Sequence, residues 1–304
     1  MLHLRSNKLC CFLAMWPGQH LLIGIILSIF LLPVSYAACT VTDDSGQRIH
    51  LEKPAQRIIS LAPDLTETLF AIGAGRQIAG VVQGSDYPPA ARKITQTGSY
   101  SGLDLEKIVT LRPDLVVTWS TTFSRQLGVL KKFGIPVYQS EPRHLEDIPR
   151  TMNNLGCLTG TEKIARLQAQ AFSRRLAAIR GQFHNQKQLA VFYQLGSYSL
   201  ITVNKNSWIT QVITLCGGRN VFAEAVSIAP EISWESVVTA NPDVIITDAT
   251  NPDWKKRWAA WPEIRAVKHD FLFSVDPDLI DRPGPRLLDG AALICKDLQS
   301  VRGN

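Results

Sequence analysis

A stretch of fifteen residues, 104–118, returns 129 residues later as residues 233–247. No other feature constrains the fold as tightly. Six positions are identical: Glu106/Glu235, Val109/Val238, Thr110/Thr239, Pro113/Pro242, Asp114/Asp243 and Thr118/Thr247. Ile108/Val237 and three strand positions keep their apolar character. Each copy reads as a cap, a short helix, a Pro-Asp turn and a strand. Asp104 and Ser233 carry an oxygen able to accept from the free N–H groups of a first helical turn, and Glu106 and Glu235 fall inside that turn. Pro113 and Pro242 end the helices. The runs Leu115-Val116-Val117 and Val244-Ile245-Ile246 are continuously apolar, the pattern of a strand covered on both faces. The period exceeds that of a solenoid repeat, so the chain is expected to form two similar α/β lobes. A second echo supports this: Gly75-Arg76-Gln77-Ile78 follows a helix expected over 65–72, and Gly218-Arg219-Asn220-Val221 follows one expected over 209–215.

Between the copies the pattern changes. From Leu145 to about Phe183 there is no strand signal, Thr161 is a good cap, and Ile164, Leu167, Ala171, Leu176, Ile179 and Phe183 recur at helical spacing. A helix of about 24 residues, roughly 36 Å long, is expected here. It reads as a rigid strut joining the lobes; the alternative is an ordinary core helix of one lobe. The 304 residues, 45% hydrophobic, then divide into a leader (1–37), an N-terminal α/β lobe (38–143), a helical region (144–185) and a C-terminal α/β lobe (186–304).

The leader has Arg5 and Lys8, an apolar run over 21–32, and small residues at Ser35 and Ala37. This is the layout of a secretory signal cleaved after Ala37 or Ala38. The run is short of the roughly 20 residues a spanning helix needs. An uncleaved anchor is one alternative and a lipoprotein modified at Cys39 another, although Tyr36 is an unusual residue three positions before it. Export carries the chain to a compartment where disulfides persist. Cys10 and Cys11 leave with the leader, and Cys39, Cys157, Cys216 and Cys295 allow three connectivities that spacing cannot separate. No pair has metal-site spacing. The net charge of +6 is scattered, with no basic stripe for nucleic acid.

Catalytic signatures are missing. There is no nucleophile elbow, phosphate-cradling loop, dinucleotide fingerprint or His-Glu-x-x-His, and His50, His144, His184 and His269 are isolated. What the chain has is aromatic and polar residues on loops after strands, where open α/β sheets bind ligands: Tyr87, Tyr100, Trp119 and Phe123 in the first lobe, Tyr193, Tyr198, Asp278 and Arg282 in the second. Two such lobes facing each other form a cleft for a large, flat, partly apolar ligand. For Glu106 and Glu235, helix-dipole complementarity is one explanation. The other is a pair of matching carboxylates for a two-fold symmetric partner with basic pockets.

Arg57-Ile58-Ile59-Ser60-Leu61-Ala62-Pro63, Thr66-Glu67, Ser85-Asp86-Tyr87-Pro88-Pro89, Leu105-Glu106-Lys107-Ile108, Pro113-Asp114-Leu115-Val116, Cys216-Gly217-Gly218 and Arg282-Pro283-Gly284-Pro285-Arg286 together resemble a known family. It is the periplasmic substrate-binding proteins of ABC importers for iron-siderophores, haem and vitamin B12, whose two Rossmann-like lobes are joined by one long backbone helix. The resemblance covers about residues 40–300 and is greatest to the cobalamin-binding members. It implies a monomeric binding protein without enzymatic activity or cofactor, carrying a small-molecule ligand in its interlobe cleft to a permease dimer with its ATPase. By the same resemblance Glu106 and Glu235 dock onto the permease, Cys216 and Cys295 form a disulfide, and Trp119, Asp278 and Arg282 touch the corrinoid. At other cleft aromatics of those members this chain has Gly84, Tyr100, Leu195 and Ala229, and only Tyr100 keeps a ring. The expected ligand contacts are therefore Tyr87, Tyr100, Trp119, Leu195, Asp278 and Arg282. Cobalamin or a related corrinoid comes first, an iron-siderophore or haem second. An enzyme or metal-cluster chaperone on this fold would need a cluster of ligands or an acid/base pair in the cleft.

Overall fold

The computed structural model describes residues 38–303 apart from 120–122, 184 and 198. The leader, Tyr198 and His184 lie outside the described residues. The antiparallel pair β1 (Cys39–Thr42) and β2 (Arg48–Leu51) comes first. The Asp43 carboxylate closes its turn by accepting from the backbone N–H of Ser45 and Gln47. Then follow β3 (Ile58–Ser60), α1 (Pro63–Ala71), β4 (Ile78–Val81), the short ribbon β5 (Gly98–Ser99) and β6 (Gly102–Leu103), α2 (Leu105–Thr110), β7 (Leu115–Trp119), α3 (Ser124–Lys132) and β8 (Val137–Ser140). Strands β4-β3-β7-β8 form one parallel sheet in that order. Helices α4 (Asp147–Thr159) and α5 (Glu162–Phe183) come next. The second half runs β9 (Leu189–Gln194), α6 (Trp208–Leu215), β10 (Gly218–Asn220), α7 (Trp234–Ala240), β11 (Val244–Thr247), α8 (Trp254–Trp258), α9 (Arg265–Lys268), β12 (Leu272–Ser274), α10 (Pro277–Ile280) and α11 (Leu287–Arg302). Strands β10-β9-β11-β12 form a second parallel sheet. The two orders are the same permutation, and β7 and β11, the strands of the repeated stretch, hold the same inner place in each.

Equivalent positions of the two copies do equivalent mechanical work. Asp104 accepts from Lys107 N at 2.9 Å and Ser233 from Ser236 N at 3.2 Å, so each copy has its helix cap. Just beyond each helix, Arg112 (φ 47°) and Asn241 (φ 41°) turn the chain through left-handed backbone, which disfavours non-glycine residues by about 1–2 kcal/mol. The aspartate after each proline offsets that strain. Asp114 accepts from the backbone N–H of Gln56 and Arg57, both at 2.8 Å, and Asp243 accepts from Ala190 N at 2.8 Å and from the Arg265 guanidinium. Each thus fixes the entrance to the strand beside its own. Strand cores β7 and β11 are fully buried over Leu115, Val116 and Val117 and over Val244, Ile245 and Ile246, as their unbroken apolar runs require.

The long helix α5 has 22 residues, about 33 Å at 1.5 Å per residue. It pairs along α4 and also touches α6 and α11 of the second half, while α4 meets β1 and α1 of the first. The helix pair therefore bridges the halves. The expected buried face is corrected: Leu176 and Phe183 are buried, but Ile164 (43%) and Leu167 (57%) are exposed, and the inner stripe is Ala165, Ala169, Phe172, Leu176 and Phe183. Close packing explains the alanines. A Cβ placed on Gly156 of α4 would lie 2.3 Å from the Ala165 Cβ, so the two helices meet where neither has a side chain to spare. The second echo diverges in detail: Gly218-Arg219-Asn220 is the strand β10, whereas Gly75-Arg76-Gln77 is a short helical turn ahead of β4. Disulfides join Cys39 on β1 to Cys157 on α4, and Cys216 at the end of α6 to Cys295 on α11.

Candidate functional site

The first α/β turn sets one wall of the seam between the halves. Strand β3 ends at Ser60, Pro63 opens α1 with the φ that suits a first helical position, and Asp64 and Glu67 follow on that first turn and the next. Asp64 is 1% exposed. Its Oδ1 accepts from Trp119 Nε1 at 3.0 Å, and its Oδ2 has no partner. Burial pushes the carboxyl up to about 7, against the opposing hydrogen bond from Trp119. Glu67, equally buried, is met from the other half. Arg282 Nη1 donates to it at 2.8 Å, and Arg286 donates through Nε at 2.8 Å and Nη2 at 2.6 Å. The i, i+4 spacing of the two arginines aims both guanidiniums at one carboxylate. Arg282 also pairs with Asp86 at 2.9 Å and Asp278 at 2.6 Å and donates to the Gly84 carbonyl. Arg286 lies 3.8 Å over the Tyr87 ring. Removing one partner from such a buried network costs about 3–5 kcal/mol.

Beside the ions lies an aromatic contact. The indoles of Trp119 (β7) and Trp208 (α6) meet edge to face, centroids 6.2 Å apart, and Trp208 Nε1 donates to the Ile280 carbonyl at 2.8 Å. The next residue, Asp281, shares a side-chain hydrogen bond with Asp248. Burial, with the neighbouring Asp248 charge, pushes the Asp281 carboxyl up to about 8. Asp248 also accepts from Gly196 N. Asp281 Oδ1 and the hydroxyl of fully buried Tyr193 have no partner.

Of the expected contacts, Tyr87 and Tyr100 are exposed, Tyr100 at 63%. Partial desolvation, despite that exposure, and then the Asp64 charge raise the Tyr100 phenol, with Arg282 opposing. Trp119 and Leu195 are half-buried; Asp278 and Arg282 are paired with each other. Gly84 offers a carbonyl, and Ala229 is exposed beside Ile228. Tyr193 and Phe123 are corrected: Tyr193 is core, and Phe123 packs partly buried under α3. Sequence reasoning did not single out Asp64, Asp248, Asp281 or Trp208 for the site, nor assign Glu67 and Arg286 a role. Glu106 and Glu235 are exposed at the second position of α2 and α7 and meet no cation among the described residues. Hydrogen bonds from its own N–H and Ser233 hold the Glu235 carboxyl below its ordinary value. Among the described residues no group of three or more His, Cys, Asp or Glu is placed to hold a metal ion.

The family model described as periplasmic binding protein matches residues 58–279. The chain is 33% identical over 273 residues to the vitamin B12-binding protein of Vibrio parahaemolyticus, covering 89% of this chain and 96% of that one. It superimposes on the crystal structure of the periplasmic vitamin B12 binding protein of Vibrio cholerae with a TM-score of 0.77 at 33% identity, over 83% of this chain and 99% of that one. A periplasmic haem-binding protein from Roseiflexus shares the fold at a TM-score of 0.72 and 22% identity, over 82% and 99% of the two chains.

Proposed function

The chain belongs to the periplasmic binding protein family, and from that premise we propose that it captures cobalamin or a related corrinoid between its lobes and delivers it to an ABC permease dimer driven by an ATPase. The observation that carries this reading is the seam: Trp119 and Trp208 meet there edge to face and Tyr87 lies against Arg286, and a broad macrocycle is recognised by aromatic rings with a few polar groups to orient it. Likeness to B12-binding relatives across both lobes supports the same ligand. Trp119, Tyr87, Tyr100 and Leu195 contact the corrinoid, while Asp278 and Arg282 fix its edge. The exposed Glu106 and Glu235 dock on basic pockets of the two permease subunits. Cys39 is joined to Cys157, which leaves no thiol for a lipid, so the protein moves freely in the periplasm after loss of its leader. A ferric siderophore or haem is the second reading, favoured by Gly84, Leu195 and Ala229 where corrinoid-binding relatives carry rings.

Titration of the mature protein with cyanocobalamin, haemin and ferric siderophores, followed by calorimetry, tests the assignment. We expect cyanocobalamin to bind tightly and Trp119→Ala to weaken it at least tenfold. Siderophore binding with no response to corrinoid would overturn the reading.

A further inference from the structure

A buried carboxyl, Asp64, and a half-buried one, Asp281, flank the seam, one from each half, and each has an inaccessible oxygen that bonds to nothing. Asp64 Oδ2 is unpartnered although the residue is almost wholly inaccessible, and Asp281 Oδ1 is unpartnered next to the equally orphaned hydroxyl of Tyr193. They are the two ends of one run of contacts. Asp64 accepts from Trp119, Trp119 meets Trp208 edge to face, Trp208 donates to Ile280 O, and Asp281 is the next residue. Asp64 also lies against the far half: a Cβ on Gly284 would be 3.4 Å from its own Cβ. Folded proteins keep few buried polar atoms unsatisfied, and two such carboxyl oxygens on one seam call for a partner from outside the chain. The nearby guanidiniums are directed elsewhere, to Glu67, Asp86 and Asp278.

We propose that Asp64 and Asp281 are specificity-determining residues of the interlobe site, whose free carboxyl oxygens pair with primary amides on the ligand's periphery and so select an amide-bearing corrinoid over a tetrapyrrole with carboxylate side chains. This rests on the corrinoid reading above. An amide suits such a carboxyl in either protonation state, donating N–H to the ionised oxygen and accepting O–H from the neutral one. A ligand carboxylate suits only the neutral form, as Asp248 suits Asp281, and against the ionised form it sets like charge beside like in a desolvated seam. The unmade bonds also explain why the wall tolerates them: a group left unpaired in the empty protein binds a matching ligand group more selectively than a satisfied one.

The test measures Kd of cyanocobalamin, of its monocarboxylic derivatives in which one peripheral amide is hydrolysed, and of haemin, for the wild type and for Asp64→Leu and Asp281→Leu. We expect the wild type to lose at least tenfold in affinity for the acid at one or two ring positions and little at the others. Each leucine variant should lose about tenfold for cyanocobalamin and no longer distinguish it from the monoacid that the wild type rejects, a combination a merely structural residue would not produce. If a leucine variant fails to fold, the derivative series on the wild type decides alone. A wild type that binds cyanocobalamin and all its monoacids alike, or leucine variants within twofold of it, overturns this selectivity and leaves the ligand assignment standing. A wild type that takes haemin and no corrinoid overturns both.

Discussion

At the scale of single residues, Asp64 joins stability to pH. Its carboxyl titrates near 7 in the folded protein, from an ordinary value of 3.8, chiefly through desolvation. Between those values the folded state holds a proton that the unfolded chain has released, so stability falls as pH rises from about 4 to about 7 and then levels off. A shift of that size corresponds to something on the order of 4 kcal/mol. Asp64→Asn keeps an acceptor for Trp119 and removes the ionisation. Its thermal midpoint without ligand should match the wild type near pH 4.5 and exceed it by several degrees at pH 8; parallel curves across that range would rule the account out. None of this was visible in the sequence, because a lone aspartate at the start of a helix reads as a dipole partner on the surface. The ion network was hidden for a related reason. Glu67 and Arg282 are 215 positions apart, and charged residues default to solvent until a fold brings them together.

Elements were easier to read than residues where the chain repeats itself. The caps, the Pro-Asp turns and the unbroken strand cores recur because each copy must fasten a strand to its neighbour through the carboxylates of Asp114 and Asp243, and identical work preserved identical side chains. The long helix shows the opposite case. Its existence and place followed from periodicity, but its inner face did not, since Ile164 and Leu167 dominate any hydropathy pattern whereas the contact is made by Ala165 and Ala169. Small residues carry little hydrophobic signal and are what close packing of two helices needs. Gly156→Val tests this directly. With 2.3 Å from a new Cβ to Ala165, α4 and α5 must part, and we expect a loss of about 2–3 kcal/mol in denaturant unfolding, partly restored by Ala165→Gly. A variant as stable as the wild type would mean that the helices are not in firm contact.

Across the whole molecule, duplication sets two exposed acids at equivalent places, Glu106 and Glu235, and the proposal gives each a permease subunit. The double variant Glu106→Ala with Glu235→Ala should abolish corrinoid uptake in cells while the purified protein keeps its ligand affinity within twofold. Undiminished uptake would remove the docking role and leave only the helix-dipole explanation. The seam between the halves has a further consequence. Trp119 and Trp208 come from opposite sides and meet edge to face, which makes them two coupled chromophores whose exciton band in circular dichroism depends on their mutual distance and tilt. Trp234, Trp258 and Trp261 couple within the second lobe and set a background, so the part of the band that changes is an unlabelled optical gauge of the seam, readable before any guest arrives and again afterwards.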